Sequence, residues 1–304
     1  MDSKEAVLRA RERNIVIPAF NIAHIPMMKA VVQAVVDENS VAMVQVARVE
    51  WEKISGGTIE ETAEEYQKVG NSSHTLLHLD HVPVVDEDYA TVDYKPLIKR
   101  AIAAGYQSVM IDGSRLSLDE NIEVTAEVVA MAHEAGIPCE AELGAVMGHE
   151  DGPIPPYEEI FASKKGFTSI EEAVKFVSRT NVDWLSVAVG NIHGSVAEAT
   201  RNEKKLEARL DLSHIDALYK ATKVPLVLHG GSGIKVECIR DAVPVGIAKI
   251  NVGTEIRQAY ELSLADSGGD IEKACQDVYQ TIRAIISDSL RISNSRTVLG
   301  LDEV

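Results

Sequence analysis

Eight short runs of apolar, largely β-branched residues recur along the chain, each followed by a stretch with helical spacing. The runs are 15–20 (IVIPAF), 41–46 (VAMVQV), 75–80 (TLLHLD), 108–111 (SVMI), 138–143 (PCEAEL), 184–189 (WLSVAV), 225–229 (PLVLH) and 248–252 (AKINV). Continuous apolar character is what a strand shows when both faces are buried, as in a parallel sheet covered by helices. The intervening segments, among them 26–38, 94–105, 118–136, 170–180 and 213–223, carry the helical period, and several end at Gly or before Pro. Eight such units without a break in composition predict an α/β fold closed into a (β/α)8 TIM barrel. A length of 304 residues with 45% hydrophobic content suits one such domain over 1–304. Past a Gly-Gly turn, Ile271, Cys275, Val278, Ile282, Ile285 and Leu290 fall at helical spacing. They predict a C-terminal helical extension that packs on the barrel or on a second subunit.

Three connections exceed a minimal loop: about 82–94, 144–168 and 194–212, rich in Asp, Glu, Gly, Pro or alternating charge. All three follow a strand, so they decorate the C-terminal mouth of the barrel, where this architecture carries its chemistry. The net charge of −17, with four Phe and two Trp, argues against nucleic-acid binding, which needs a basic face and stacking aromatics. An anionic substrate therefore has to be held locally, by backbone N–H groups, a metal and a few cations. The three cysteines are widely spaced and form no CxxC pair, which suits reduced thiols. The N-terminal segment is charged, and no run of about 18 apolar residues is present to span a membrane. The expected location is the cytoplasm.

Asp80 and His81 end the third run, His193 follows the sixth, and His229 ends the seventh. A single histidine at a strand end is usually structural. Three in the same kind of position converge at a barrel mouth, and three neutral imidazoles leave a coordination position open for substrate, as catalytic zinc requires. His74 and His78 lie within the third strand, His133 and His214 on helices, and His24 and His149 in loops, so these read as structural or solvated. Asp112 ends the fourth strand, while Glu140 and Glu142 fall on one face of the fifth by period-two counting. Buried acids need a cation or donors, and a nearby metal makes them intelligible; capping or salt bridging is the alternative, above all for Glu140. After the seventh and eighth strands come HGGSG (229–233) and NVGTE (251–255). Small residues there let backbone N–H groups approach an anion, and these two loops often bind phosphate in barrels.

IPAFNI, LHLDH, SVMIDGS, EAELG, GHEDG, VAVGNIHG, LVLHGGSG and KINVGTE stand in the order seen in class II fructose- and tagatose-bisphosphate aldolases, and the chain resembles that family over about 14–260. The resemblance implies a metal-dependent lyase that cleaves or forms a ketose 1-phosphate or 1,6-bisphosphate, giving dihydroxyacetone phosphate and an aldehyde through a metal-stabilised enediolate. It implies His81, His193 and His229 as ligands of a divalent metal, expected to be Zn2+. Asp112 and Glu142 match a second or alternative metal site. Asp80 matches the acid at the C4 oxygen, and Glu150 a carboxylate of proton transfer at the donor ketose. Gly194, Gly230, Gly231, Ser232, Asn251, Val252, Gly253 and Thr254 match the dihydroxyacetone-phosphate site. The partners implied are a small sugar phosphate and further copies of the chain, as a dimer or tetramer.

Val82 and Pro83 stand where small residues commonly follow the Asp-His pair, and Ala47 beside Arg48 where many members carry Ser. Ser195 and Val196 replace the usual residues after His193 and Gly194, and the arginine of the C-terminal segment is not recognisable. All four departures concern the acceptor end, which points to aldol chemistry on a shifted substrate, with Arg48, Arg115 and Arg257 as candidates for a distal anion. A sugar-phosphate epimerase or isomerase shares the enediolate, and a non-catalytic sugar-phosphate-binding relative would keep the loops alone; the complete acid-plus-histidine set weighs against the latter.

Overall fold

A computed structural model of the chain describes residues 1–54, 56–144, 157–191, 208–231 and 233–301. Strands β1 (Ile17–Asn21), β2 (Ala42–Val46), β3 (Thr75–Pro83), β4 (Ser108–Asp112), β5 (Cys139–Leu143), β6 (Trp184–Val187), β7 (Leu226–Leu228) and β8 (Ile247–Val252) pair in sequence order into a closed barrel. Every pairing is parallel, including β8 with β1, where Ile17 stands opposite Lys249. Closure removes both sheet edges, and helices in the crossovers cover the outer face. The expected barrel is therefore present, with strand bounds within a few residues of the apolar runs.

The crossover helices are Met27–Asp37, Ile59–Val69, Tyr94–Ala104, Leu118–Glu134, Ile170–Thr180, Leu212–Thr222 and Val236–Ala242, and Thr254–Asp266 follows β8. Two start with complete capping boxes: Ser117 with Glu120 and Thr58 with Glu61, each side chain bonding the other residue's backbone N–H. Phe176 of Ile170–Thr180 is fully buried, and removing a ring of that size from water contributes about 1.5–3 kcal/mol.

Inside the barrel the pleat sends every second residue inward. The lower layer is apolar: Ile17, Ala19, Met43, Leu76, Trp184 and Val227 cluster with Ala6, Val7 and Ala10 of the helix Ser3–Arg13 and with Leu299 and Leu301. The two chain ends thus close the N-terminal side of the barrel. Towards the other side the inward positions turn polar, with Asn21, Gln45, His78, Asp80, Glu140, Glu142, Ser186 and Lys249 all buried. Such groups persist in a core only when they are hydrogen-bonded to each other or to a ligand.

The predicted C-terminal extension is the helix Ile271–Ala284, continued by a π-helical turn Ile285–Leu290. It packs on the barrel's own helix Met27–Asp37, with Ala274, Val278 and Ile282 buried and Tyr279 Oη donating to Asp37 at 2.7 Å. Among the described residues no helix is long and apolar enough to cross a membrane.

Candidate active site

Asp80 and His81 are neighbours in sequence, and regular pleating would send one inward and the other outward. The β3–β4 register breaks between them: Leu79 pairs with Val109, but Val82 pairs with Ile111, so three steps on β3 match two on β4. This bulge, with His81 at a φ of 20°, turns both side chains to the mouth. Strand β3 consequently runs on to Pro83, beyond the end that its apolar pattern marked.

Asp80 is clamped by two amides. Asn21 Nδ2 donates to Oδ2 and Asn251 Nδ2 to Oδ1, both at 2.9 Å. Burial alone would raise its carboxyl, but the charges of His81, Lys249 and His229 outweigh it and hold Asp80 below the usual range. The result is an ionised carboxylate at the barrel mouth that is 1% exposed.

His229 stands just past the end of β7. Its Nε2 lies 2.8 Å from Glu140 Oε1, and its Nδ1 3.0 Å from Glu142 Oε2. Glu140 Oε2 accepts from Trp184 Nε1 at 2.6 Å and faces Lys249 Nζ at 3.0 Å. Burial works against the Glu140 carboxylate, yet the Lys249 charge and the His229 contact hold it far below the usual carboxylate range. Both glutamates share one face of β5, as their spacing predicts, and salt bridging is what Glu140 does. Asp112 Oδ2 is 3.3 Å from His81 Nδ1, and the His81 and His229 rings meet edge-on with centroids 4.5 Å apart.

Two overlapping groups of side chains bring ligand atoms within 4.8 Å of one another: Asp80, His81 and His229, and His81, Asp112 and Glu142. His229 Nδ1 is buried, and its one close neighbour among the described residues, Glu142 Oε2, stands outside hydrogen-bonding geometry. Its Nε2 is taken by Glu140, the arrangement in which a histidine's other nitrogen serves a metal. Burial opposes charge on His81, but Asp80, Asp112 and Glu142 push its imidazole up to about 10. A pocket with this carboxylate excess, in which His229 Nδ1 and the Glu142 carboxylate meet outside hydrogen-bonding geometry, fits a divalent cation, which would displace the proton from His81.

Glycine is required where β7 hands over to its loop. Gly230 has a φ of 69°, and a Cβ on Gly231 would lie 2.9 Å from Ile250 Cδ1. Gly253 packs beside Asn21, and Thr254 opens the helix Thr254–Asp266, whose first N–H groups are unpaired within the helix. Val252 is buried, as is Asn251, whose side chain is engaged with Asp80. Asn191 Nδ2 donates to the His229 carbonyl at 3.0 Å, tying the end of the β6 segment to the metal side. His193, Gly194, Glu150 and Ser232 lie outside the described residues.

Sequence reading missed two groups. Lys249 is wholly buried beside Glu140, although a lysine within an apolar strand gives little sign of facing inward. Glu50, on a short π-helical turn Glu50–Ile54 after β2, accepts from the Ala47 N–H and lies 3.4 Å from Asn21 Nδ2. Burial and the Asp80 charge raise its carboxyl to about 8. The three arginines considered for a distal anion are engaged within the chain. Arg48 pairs with Asp86 at 3.2 Å, Arg115 donates to the Asp86 carbonyl and covers the Tyr89 ring, and Arg257 pairs with Glu261 at 3.0 Å. His78, read as structural, donates to or accepts from Ser108 Oγ at 2.8 Å, and burial together with Lys249 lowers it to about 3.

The family model for class II fructose-bisphosphate aldolase matches residues 1–297. The fructose-bisphosphate aldolase of Staphylococcus epidermidis is 32% identical over 254 residues, covering 83% of this chain and 80% of that protein. The 6-phospho-5-dehydro-2-deoxy-D-gluconate aldolase of Shouchella clausii is 38% identical over 193 residues, 64% of this chain and 57% of that one. Among solved structures, the YdjI aldolase from Escherichia coli K12 superposes with a TM-score of 0.71 at 26% identity, covering 99% of this chain and 97% of that one. A putative fructose-1,6-bisphosphate aldolase from Coccidioides immitis reaches 0.75 at 26% identity, covering 96% of each. With the barrel, the clamped Asp80 and the histidine–carboxylate pocket in place, the match over nearly the whole length settles the membership: this chain belongs to the class II fructose-bisphosphate aldolase family, the metal-dependent aldolases.

Proposed function

We propose that the chain cleaves, and in reverse forms, a ketose 1-phosphate or 1,6-bisphosphate, releasing dihydroxyacetone phosphate and an aldehyde. The observation that carries this reading is the ionised Asp80, clamped by Asn21 and Asn251 beside His81 and His229. Asp80 takes the proton of the C4 hydroxyl as the carbon–carbon bond breaks and returns it in condensation. His81, His193 and His229 hold the divalent metal, with Zn2+ the ion we favour, and Asp112 and Glu142 form the second or alternative position. When bound, the metal supplies a Lewis acid for the negative charge that develops on the ketose oxygens.

The donor phosphate is held by the turns after β7 and β8, with Gly194, Gly230, Gly231, Ser232, Asn251, Val252, Gly253 and Thr254 around it. The positive φ of Gly230 and the start of the helix Thr254–Asp266 support this reading, because a glycine turn and a helix N-terminus leave backbone N–H groups available to an anion. Glu150 moves the proton at the donor carbon. Positioning both halves against fixed groups lowers the barrier by removing the entropy of encounter.

The acceptor aldehyde, in this reading, differs from that of glycolytic fructose bisphosphate. Arg48, Arg115 and Arg257 are each engaged by an acid or carbonyl of the chain, and Glu50 occupies the turn after β2. The chain acts as one unit over 1–304, in the cytoplasm, as a homo-oligomer. The test is a cleavage screen over ketose phosphates differing at C4 and at the distal end. Triose-phosphate release supports aldol cleavage; an isomerised ketose without triose supports an epimerase or isomerase instead.

A further inference from the structure

Lys249 is fully buried at the centre of the polar layer, and none of the steps above uses it. Its Nζ lies 3.0 Å from Glu140 Oε2 and donates to Asn251 Oδ1 at 2.7 Å. An ammonium has only donors, so it fixes which end of the Asn251 amide it meets. With Oδ1 turned to Lys249, Nδ2 has to face Asp80, which it does at 2.9 Å. The reversed amide would set N–H groups against the ammonium and a carbonyl oxygen against the Asp80 carboxylate, two repulsions in place of two bonds.

The other side of Asp80 repeats the device with a neutral donor. Gln45 Nε2 donates to Asn21 Oδ1 at 2.8 Å, leaving Asn21 Nδ2 for Asp80. Through Glu140, the same ammonium also stands behind the carboxylate that engages His229 Nε2. A lysine present only to neutralise Glu140 would have no need of Asn251.

We propose that Lys249 is a positioning residue that joins the two halves of the site, orienting Asp80 through Asn251 and His229 through Glu140. The inference rests on the reading of Asp80 as the proton-transfer group and adds to it the cation that sets its geometry. It accounts for a charged side chain in a barrel core, which is tolerated only when every bond it makes is matched.

The test compares zinc-loaded wild type with Lys249→Met, using whichever of the fructose and tagatose 1-phosphates and 1,6-bisphosphates the wild type cleaves fastest. Lys249→Met is expected to lower kcat at least tenfold with KM changed less than threefold, because Asp80 is misplaced while the phosphate loops are intact. Since the single change strands the Glu140 carboxylate and lowers Tm, Lys249→Met with Glu140→Gln is measured against Glu140→Gln alone. The double variant is expected to regain Tm over Lys249→Met while kcat stays at least tenfold below that of Glu140→Gln. A Lys249→Met kcat within twofold of wild type, or a double variant within twofold of Glu140→Gln, overturns the inference. Asp80→Asn run alongside separates the two readings: if it cleaves at the wild-type rate, the role of Asp80 fails with it, and if it is impaired while Lys249→Met is not, only the role of Lys249 fails.

Discussion

Glu140 Oε1 meets His229 Nε2 at 2.8 Å, and that one contact decides which ring nitrogen faces the mouth. With Nε2 engaged, Nδ1 is the atom left beside Glu142 and across from His81. Glu140 itself is held ionised by Lys249 in a site with no solvent exposure. The carboxylate therefore acts on the metal position without being a ligand of it.

Glu140→Ala removes this support and strands a buried ammonium. Metal affinity is expected to fall about 10–100-fold, measured by competition with a chromophoric chelator. Breaking the buried pair costs about 3–5 kcal/mol, read from urea unfolding. Unchanged affinity would mean that His229 is oriented by something other than Glu140.

Asp80→Asn keeps the size of the side chain and removes the carboxylate that we assign to proton transfer. The expected loss in kcat is about 10²–10⁴-fold with metal content unchanged, checked by steady-state cleavage and elemental analysis of the same preparation. A variant that lost its metal as well would show that Asp80 acts as a ligand.

Glu50 predicts a pH signature in stability. Burial, then Asp80, raises its carboxyl to about 8 from an ordinary 4.5. The folded chain keeps a proton there that the unfolded chain has released, so between those two values stability falls as pH rises. From pH 5 to pH 8 the wild type is expected to lose a few kcal/mol relative to Glu50→Gln, measured by urea unfolding at each pH. Parallel stability curves for the two proteins would rule this out.

Asp86 organises the connection after β3. Its Oδ1 accepts from the N–H groups of Asp88 and Ala90 at 3.0 and 2.8 Å, and its Oδ2 pairs with Arg48. Asp86→Ala is expected to make 84–92 a site of limited proteolysis and to raise KM for the ketose severalfold, leaving metal affinity intact. Protease resistance equal to wild type would assign the order of this loop to other contacts.

Much of this was legible in the sequence because the barrel writes itself as apolar runs, and because Asp80, His81, Asp112 and His229 each sit where such a run ends. The face shared by Glu140 and Glu142 followed from period two alone. What stayed hidden depends on geometry that no local pattern carries. The bulge that brings Asp80 and His81 to one side appears only in the register of β3 against β4. Nothing in the run AKINV singles out Lys249 until β8 is seen to face Glu140 across the barrel. Glu50 lies in a turn with no periodicity, and the engagement of Arg48 and Arg115 by Asp86 joins residues far apart in the chain.

We propose that carbon–carbon cleavage here depends on a divalent metal held by His81, His193 and His229. The most direct measurement follows triose-phosphate release from a ketose phosphate before and after dialysis against a chelator, with metal content determined in the same samples and His229→Ala alongside. Cleavage is expected to disappear with the metal, to return when Zn2+ is restored to wild type, and not to return in His229→Ala. Full-rate cleavage by metal-free protein, or by His229→Ala, would contradict it.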